Sequence, residues 1–561
     1  MINNFKFFVC ILFITLILNS CKEKQFADFI LINANIYTAG DSIYSPTAMA
    51  IKNGKILYIG NNESALEYKN KNSTIKDANN SFVMPGLNEG HGHLLSFGKL
   101  LSNINLLKTQ SWEEIVDSVH QKAKTAPKGI WIEGRGWHQD KWKNSMALKF
   151  DNYPYHDELS KISPDHPVVL VHASGHALIA NQKAMDMAKI SIETQSPKGG
   201  RIVKDHNGKL TGVFEENAMD LINDALKSVK LNEEAQKKQY ELYASIACNE
   251  ALKYGITSFT DAGSRVDEIF ALRDLVDIGK IPLRLNVFLY EDKNSILEAI
   301  PTLPIYAKNK SKFRAESVKA YIDGALGSYG AWLLEPYTDN PKVLGQNLME
   351  LSLLDSIASA CDAYNLQLCV HAIGDRANRE ILNIYEKHQS TKKRWRIEHA
   401  QHIDPEDITR FKQNNVIASM QAIHCTSDAP FVQKRLGYER AKNTSYRWRT
   451  ILDAGVRLSN GTDVPVESIN PFECLYASVT RKRMDNNFEF FPEEKMTREE
   501  ALKSYTIWNA YSSNEDHIKG SLEVGKLADF IILDKDLLKC KDEEIPKTKV
   551  LEVYIEGNKI I

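Results

Sequence analysis

The sequence predicts an α/β protein built on a (β/α)8 TIM-like barrel, and three observations carry that expectation. Eight short apolar, β-branched runs recur through the middle of the chain, at 82–93, 256–261, 283–290, 318–323, 366–371, 394–399, 416–421 and 456–463. Helix-like stretches separate most of them, among them 233–254, 351–364 and 376–387. Strand–helix alternation repeated in this way is what a barrel requires. Polar groups also gather at the C-terminal ends of the runs, where barrel chemistry collects. A doubly wound open sheet, the competing architecture, leaves that clustering unexplained.

Length and composition agree. A chain of 561 residues suits one large domain with appendages. Its 43% apolar and 25% charged residues are ordinary for a globular protein. A formal net charge of −2 argues against non-specific nucleic-acid binding, which needs a basic excess.

Residues 1–20 stand apart as an expected lipoprotein signal peptide. Lys6 precedes an almost unbroken apolar run over 7–18, about the length of a signal core and short for a membrane span. The run ends Leu18-Asn19-Ser20-Cys21, before Lys22-Glu23-Lys24-Gln25, which resembles a bacterial lipobox. Lipidation at Cys21 would anchor the mature protein to a bacterial membrane, on the periplasmic or cell-surface side. An uncleaved signal anchor is the alternative. Cys248, Cys361, Cys369, Cys425, Cys474 and Cys540 are scattered, with neither metal-ligand nor disulfide-framework spacing.

The next segment and the far C-terminus both read as strands. Asn53-Gly54 between alternating runs signals a tight hairpin, and Gly557-Asn558 reads as a second turn. These ends predict a composite β-sandwich from 22–84 and 516–561. The barrel then spans 85–104 and 236–515. Residues 105–235 break the alternation and are expected as a subdomain inserted after the first barrel strand, capping the active face. A set of long barrel loops is the alternative, although loops of that length are uncommon.

The chemistry begins in FVMPGLNEGHGH, at 82–93. On a strand His91 and His93 share one face, and two imidazoles so spaced can grip one metal ion. Later runs end in Lys319 and Asp323, in His371, in His399 and in Asp463. Each alone is ordinary: Lys319 suits a strand edge, and His371 a hydrogen-bonded core. The ordered set, on strands one, four, five, six and eight, is improbable by accident.

With PGLNEGHGH, GVFEENA, VKAYIDGALGS, HAIGDRA, RIEHAQ, SMQAIHCTSD, GTDVP and GSLEVGKLADFIILD, the chain resembles the amidohydrolase superfamily. Within it the resemblance is to the amidohydrolase-3 group, similar to N-substituted formamide deformylases. It implies that His91, His93 and Asp463 bind one zinc-like ion and that His371 and His399 bind a second. Lys319, N6-carboxylated by carbon dioxide, would bridge them, since a plain ammonium repels a cation and a carbamate offers two anionic oxygens. The resemblance further implies that Asp463 is catalytic, taking a proton from the attacking water and passing it to the leaving nitrogen. The sequence departs from the commoner pattern in placing Glu89 where aspartate is usual. One or two divalent ions, with Lys319 carboxylated or plain, stay open.

Gln421 and His424 after strand seven, and Asp375 and Arg376 after His371, are candidate substrate contacts; loop hydrogen bonding and helix capping are the plainer roles. His176, Glu215, Glu216 and Trp137 lie in the insertion. The expected activity is metal-dependent hydrolysis of a non-peptide C–N bond in a linear amide, N-acyl or N-formyl compound. A cyclic amide, an ester or a deaminated ring is the alternative substrate. A catalytically dead, lipid-anchored binding protein is disfavoured, because all six positions are filled. The expected partners are a small amide substrate and a membrane, with homo-oligomerisation open.

Overall fold

The computed structural model describes residues 25–40, 45–106, 109–139, 142–143, 150–173, 175–228, 232–388 and 393–561. The predicted signal peptide and Cys21 lie outside them. Two compact units divide the chain, one formed by 1–93 with 248–561 and the other by 94–247.

In the first unit, among the described residues, eight strands follow one another in parallel register. They are Leu87–Gly92, Ile256–Ser264, Arg284–Leu289, Phe313–Tyr321, Gln367–Ala372, Arg396–His399, Ile417–Met420 and Leu458–Asn460. Most are buried along their whole length. That is why they read as apolar runs rather than as alternations. The eighth strand meets the first through backbone bonds just beyond its end: Asp463 N–H donates to His91 O at 2.8 Å, and His93 N–H to Val464 O at 2.7 Å. The barrel therefore closes where the predicted ligands sit.

Two smaller sheets complete this unit. One orders Lys55–Gly60, Ala48–Lys52, Phe29–Ile32 and Thr74–Asp77. The other orders Asn35–Ile36, Phe82–Pro85, Phe530–Leu533, Val550–Ile555 and Asn558–Lys559. Leu31, Met49 and Ile51 from the first pack with Val83, Phe530 and Tyr554 from the second in one core. The predicted β-sandwich from both termini is present. Arg284, buried on the third barrel strand, bonds Asp529 through Nε at 2.5 Å and Nη2 at 2.9 Å and so ties barrel to sandwich.

Two expectations need correction. The run 82–93 is not one strand. Phe82–Pro85 pairs antiparallel with Phe530–Leu533 in the sandwich, whereas Leu87–Gly92 pairs parallel with Ile256–Ser264 in the barrel. The chain changes sheets at Gly86, where a Cβ would stand 2.2 Å from Thr257 Oγ1. The C-terminal turn is Glu556-Gly557, not Gly557-Asn558. Both its residues have positive φ, 53° and 71°, as a two-residue hairpin of this twist demands. The Asn53-Gly54 hairpin forms as read, joining Ala48–Lys52 to Lys55–Gly60.

The second unit follows the first barrel strand in the chain. Among its described residues a six-stranded sheet runs in the order Gly200–Lys204, Leu210–Glu216, Ala177–Ala180, Val168–His172, Ile132–Trp137 and Ile104–Asn105. Alternate residues feed two cores: Val168, Leu170 and Val213 in one, Val169, Leu178 and Phe214 in the other. Trp137 is buried in the first, its indole N–H donating to Leu170 O at 2.8 Å. Glu215 bonds Arg201, and His176 lies 3.1 Å from Glu216 on the surface.

Candidate metal centre

His91 is the penultimate residue of the first barrel strand and has no exposed surface. Its Nδ1 lies 2.5 Å from Glu398 Oε2 on the sixth strand. Burial alone would lift the Glu398 carboxyl, but Arg396 and His91 outweigh it and hold the group well below the usual carboxylate range. An ionised Glu398 accepts, so Nδ1 carries the proton and Nε2 keeps its lone pair. That Nε2 makes no hydrogen bond among the described residues and lies 3.6 Å from Asp463 Oδ1. His93 Nε2 lies 3.2 Å from the same oxygen.

His399 ends the sixth strand. Its Nδ1 faces Gln421 Oε1 at 2.7 Å, which again leaves Nε2 for a metal. One ligand atom each from His91, His399 and Asp463 lie within 4.8 Å of one another, all buried. The backbone at His399 and at Asp463 has positive φ, 71° and 56°. Side chains there leave the strand's simple alternation, which is how Glu398 and His399, adjacent in sequence, both serve the site.

His371 and Lys319 complete the cluster. The His371 ring stands 4.4 Å from that of His399, and neither of its nitrogens has a hydrogen-bond partner. Lys319 is fully buried; its Nζ is equally unpartnered and lies 4.6 Å from the centroid of Tyr321. All six residues expected from the sequence belong to this one end of the barrel.

The donor set suits a divalent cation. Leaving a buried polar atom unsatisfied costs roughly 1–3 kcal/mol, and here five such atoms gather on His91, Asp463, Lys319 and His371. Burial holds His91 down to about 4 and His371 to about 3, and holds His399 well below its ordinary value, so these imidazoles are neutral. Burial works against ionisation of Asp463, yet its contact with His93 leads the influences that hold it well below the usual carboxylate range. Neutral nitrogens beside a carboxylate are a zinc-type ligand set.

Of the four candidate substrate residues, Gln421 faces the His399 ring through Oε1 at 2.7 Å. The His424 ring lies 6.2 Å from that of His399 and nearly parallel to it, with Nε2 buried and unpartnered. Asp375 opens the helix Asp375–His388, accepting from Leu334 N–H at 2.8 Å and Arg376 N–H at 2.9 Å. Arg376 donates from Nε to Glu380 at 2.6 Å. The partners of this last pair belong to a loop–helix junction.

Sequence reasoning missed two buried groups, Glu398 and Arg396, and gave no specific role to two others that it named, Asp323 and Glu89. Glu398 and Arg396 stand behind His91. Asp323 takes the backbone N–H of Trp332, Ile373 and Gly374, with Oδ1 3.5 Å from His371 Nε2. Glu89, noted only as a departure, accepts from Thr462 N–H at 2.7 Å and His91 N–H at 3.1 Å and so couples the Asp463 loop to the first strand. One signal was available: an Arg-x-Glu inside an otherwise apolar strand is costly unless the pair is closed.

A model of the amidohydrolase family matches residues 74–561. The chain belongs to the amidohydrolase family. It is 32% identical over 557 residues to the protein LONG AFTER FAR-RED 3 of Arabidopsis thaliana, covering 95% of this chain and 91% of that one. It is 26% identical over 553 residues to an N-substituted formamide deformylase of Arthrobacter pascens, covering 95% and 98%. Among solved structures, an uncharacterised metal-dependent hydrolase of Pyrococcus furiosus superposes with a TM-score of 0.74 at 29% identity, covering 91% of this chain and all of that one. The amidohydrolase is thus a metal-dependent hydrolase on a barrel scaffold, with a buried His/His/Asp group able to hold the metal.

Proposed function

We propose that this amidohydrolase cleaves a non-peptide C–N bond in a small linear amide, an N-acyl or N-formyl compound. The observation that carries the proposal is the convergence of His91, His399 and Asp463, each offering a buried ligand atom within one 4.8 Å cluster. Similarity to a formamide deformylase supports the choice of bond.

The chemistry that a divalent ion, zinc in this reading, would supply there is polarisation of a scissile carbonyl and a lowered pKa for water. The chain does the rest. Neutral His91 and His399 hold the ion without competing protons. Asp463, ionised at the outset, accepts the attacking water's proton at its carboxylate and delivers it to the leaving nitrogen, which departs poorly until protonated. His424, with a free buried Nε2, is placed to donate to a substrate oxygen. Carboxylated on Nζ by carbon dioxide, Lys319 would offer an anionic ligand in place of a repelling ammonium, and with His371 it would hold a second ion. The anchored, exported form through Cys21 belongs to the same reading.

Metal analysis of protein purified without chelator, with hydrolysis assays on N-formyl and N-acyl amines, tests it. The expected result is bound metal and turnover that chelation abolishes. Metal-free protein with chelator-insensitive activity overturns the centre; turnover confined to cyclic amides or esters overturns the substrate class. Mass spectrometry of the mature N-terminus tests the anchor, and an unmodified peptide running through Cys21 rejects it.

A further inference from the structure

We infer that Glu398 is the positioning residue of the metal centre, its carboxylate fixing His91 from the opposite side of the barrel so that Nε2 alone is presented to the ion. The sixth strand carries Glu398 and the first carries His91. Their bond, Nδ1 to Oε2 at 2.5 Å, spans the interior, and neither residue has exposed surface.

The carboxylate is itself held. Arg396 donates to it from Nε at 2.6 Å and from Nη2 at 3.0 Å. The same guanidinium reaches Gly90 O at 2.9 Å, one residue before His91, and Ser419 Oγ on the seventh strand at 2.7 Å. A single buried side chain thus grips both the residue that orients the imidazole and the backbone that carries it.

A buried Arg–Glu pair is weak as a stabilising device, because its desolvation offsets most of its attraction. Apolar side chains would fill this barrel layer at lower cost. The pair gains a purpose from what it faces. Glu398 spends one oxygen on His91 Nδ1, which fixes both the tautomer and the ring plane. His399 has the same arrangement with a neutral partner, Gln421. The two ligands are therefore unequal: an anion stands behind His91 and makes it the stronger donor.

The inference rests on the proposed centre in one respect, that a divalent ion binds His91. Competition with a chromophoric chelator for Zn²⁺, and the visible spectrum of the Co²⁺-loaded protein, read the site without any substrate. In Glu398→Gln the affinity is expected to fall roughly 10–100-fold and the cobalt bands to shift. Glu398→Asp keeps the charge opposite Arg396 but withdraws the oxygen from His91, and it is expected to lose affinity while folding normally. Wild type that takes up neither metal overturns both readings. Wild type that binds, with both variants matching it in affinity and spectrum, overturns this one alone. A crystal structure of the Zn²⁺-loaded wild type decides the matter independently of any variant's folding. Ligation through His91 Nε2 with the Glu398 bond kept supports the inference; ligation through Nδ1 refutes it.

Discussion

The backbone N–H of Asp463 donates to the carbonyl of His91 at 2.8 Å, so the last and first strands of the barrel are joined at two residues of the buried His/His/Asp group able to hold a metal. Closure of the fold and assembly of the site are one event. Glu89 reinforces it, binding the backbone of both Thr462 and His91.

In the proposed mechanism Asp463 carries charge for the ion and accepts the water's proton, while its backbone N–H closes the seam to His91. Asp463→Asn preserves shape and the backbone bond but removes both chemical roles. A fall in kcat of about 10²–10⁴-fold is expected, the range for loss of a positioned base, with far-UV circular dichroism unchanged. Activity within a few-fold of wild type would remove Asp463 from the mechanism.

Removing the metal should also cost stability. A ligand that binds only the folded state stabilises it by about 2.7 kcal/mol at a hundredfold excess over Kd. Chelated protein is expected to melt at a lower temperature, and added Zn²⁺ to restore the transition. Identical melting curves would contradict a site built from these orphaned atoms.

Arg284 and Asp529 form a buried pair between barrel and sandwich. Breaking such a pair leaves an uncompensated charge and typically costs about 3–5 kcal/mol. Arg284→Met should lower the denaturant midpoint accordingly, with Asp529 left unpaired. The double variant Arg284→Met/Asp529→Leu should recover part of the loss.

His402 is fully buried, its Nδ1 on Ser445 Oγ at 2.9 Å, and burial pushes its pKa down to about 3. The folded chain keeps it neutral, whereas the unfolded chain protonates it near pH 6.5. Its contribution is therefore intact above about 6.5 and is lost as pH falls towards about 3. Between pH 7.5 and pH 5 the share due to this residue is about 2 kcal/mol. Urea unfolding of wild type and His402→Gln at both pH values checks it, with a shallower loss expected in the variant.

Much of this was legible beforehand. The eight strands, the hairpin at Asn53-Gly54 and the polar strand ends follow from apolar runs, turn chemistry and residue type. These are local properties of a linear chain. Strand alternation alone would assign Glu398 and His399 to opposite faces, so Glu398 does not stand out in the sequence. Only the positive φ at His399, a conformation that the residue's type does not announce, brings both to the same pocket. Asp375 and Arg376 follow His371 in the chain, and only the fold shows their protein partners, a helix start for one and Glu380 for the other.

The sequence by itself determined which elements form and which chemically capable residues end them, since hydrophobic period, turn residues and side-chain identity are written locally. The tertiary structure decided which of those residues come together, which nitrogen of His91 and of His399 is free, and what stands behind each. Such relations depend on strand register and barrel closure, which join residues hundreds of positions apart, as Glu398 and His91 are joined.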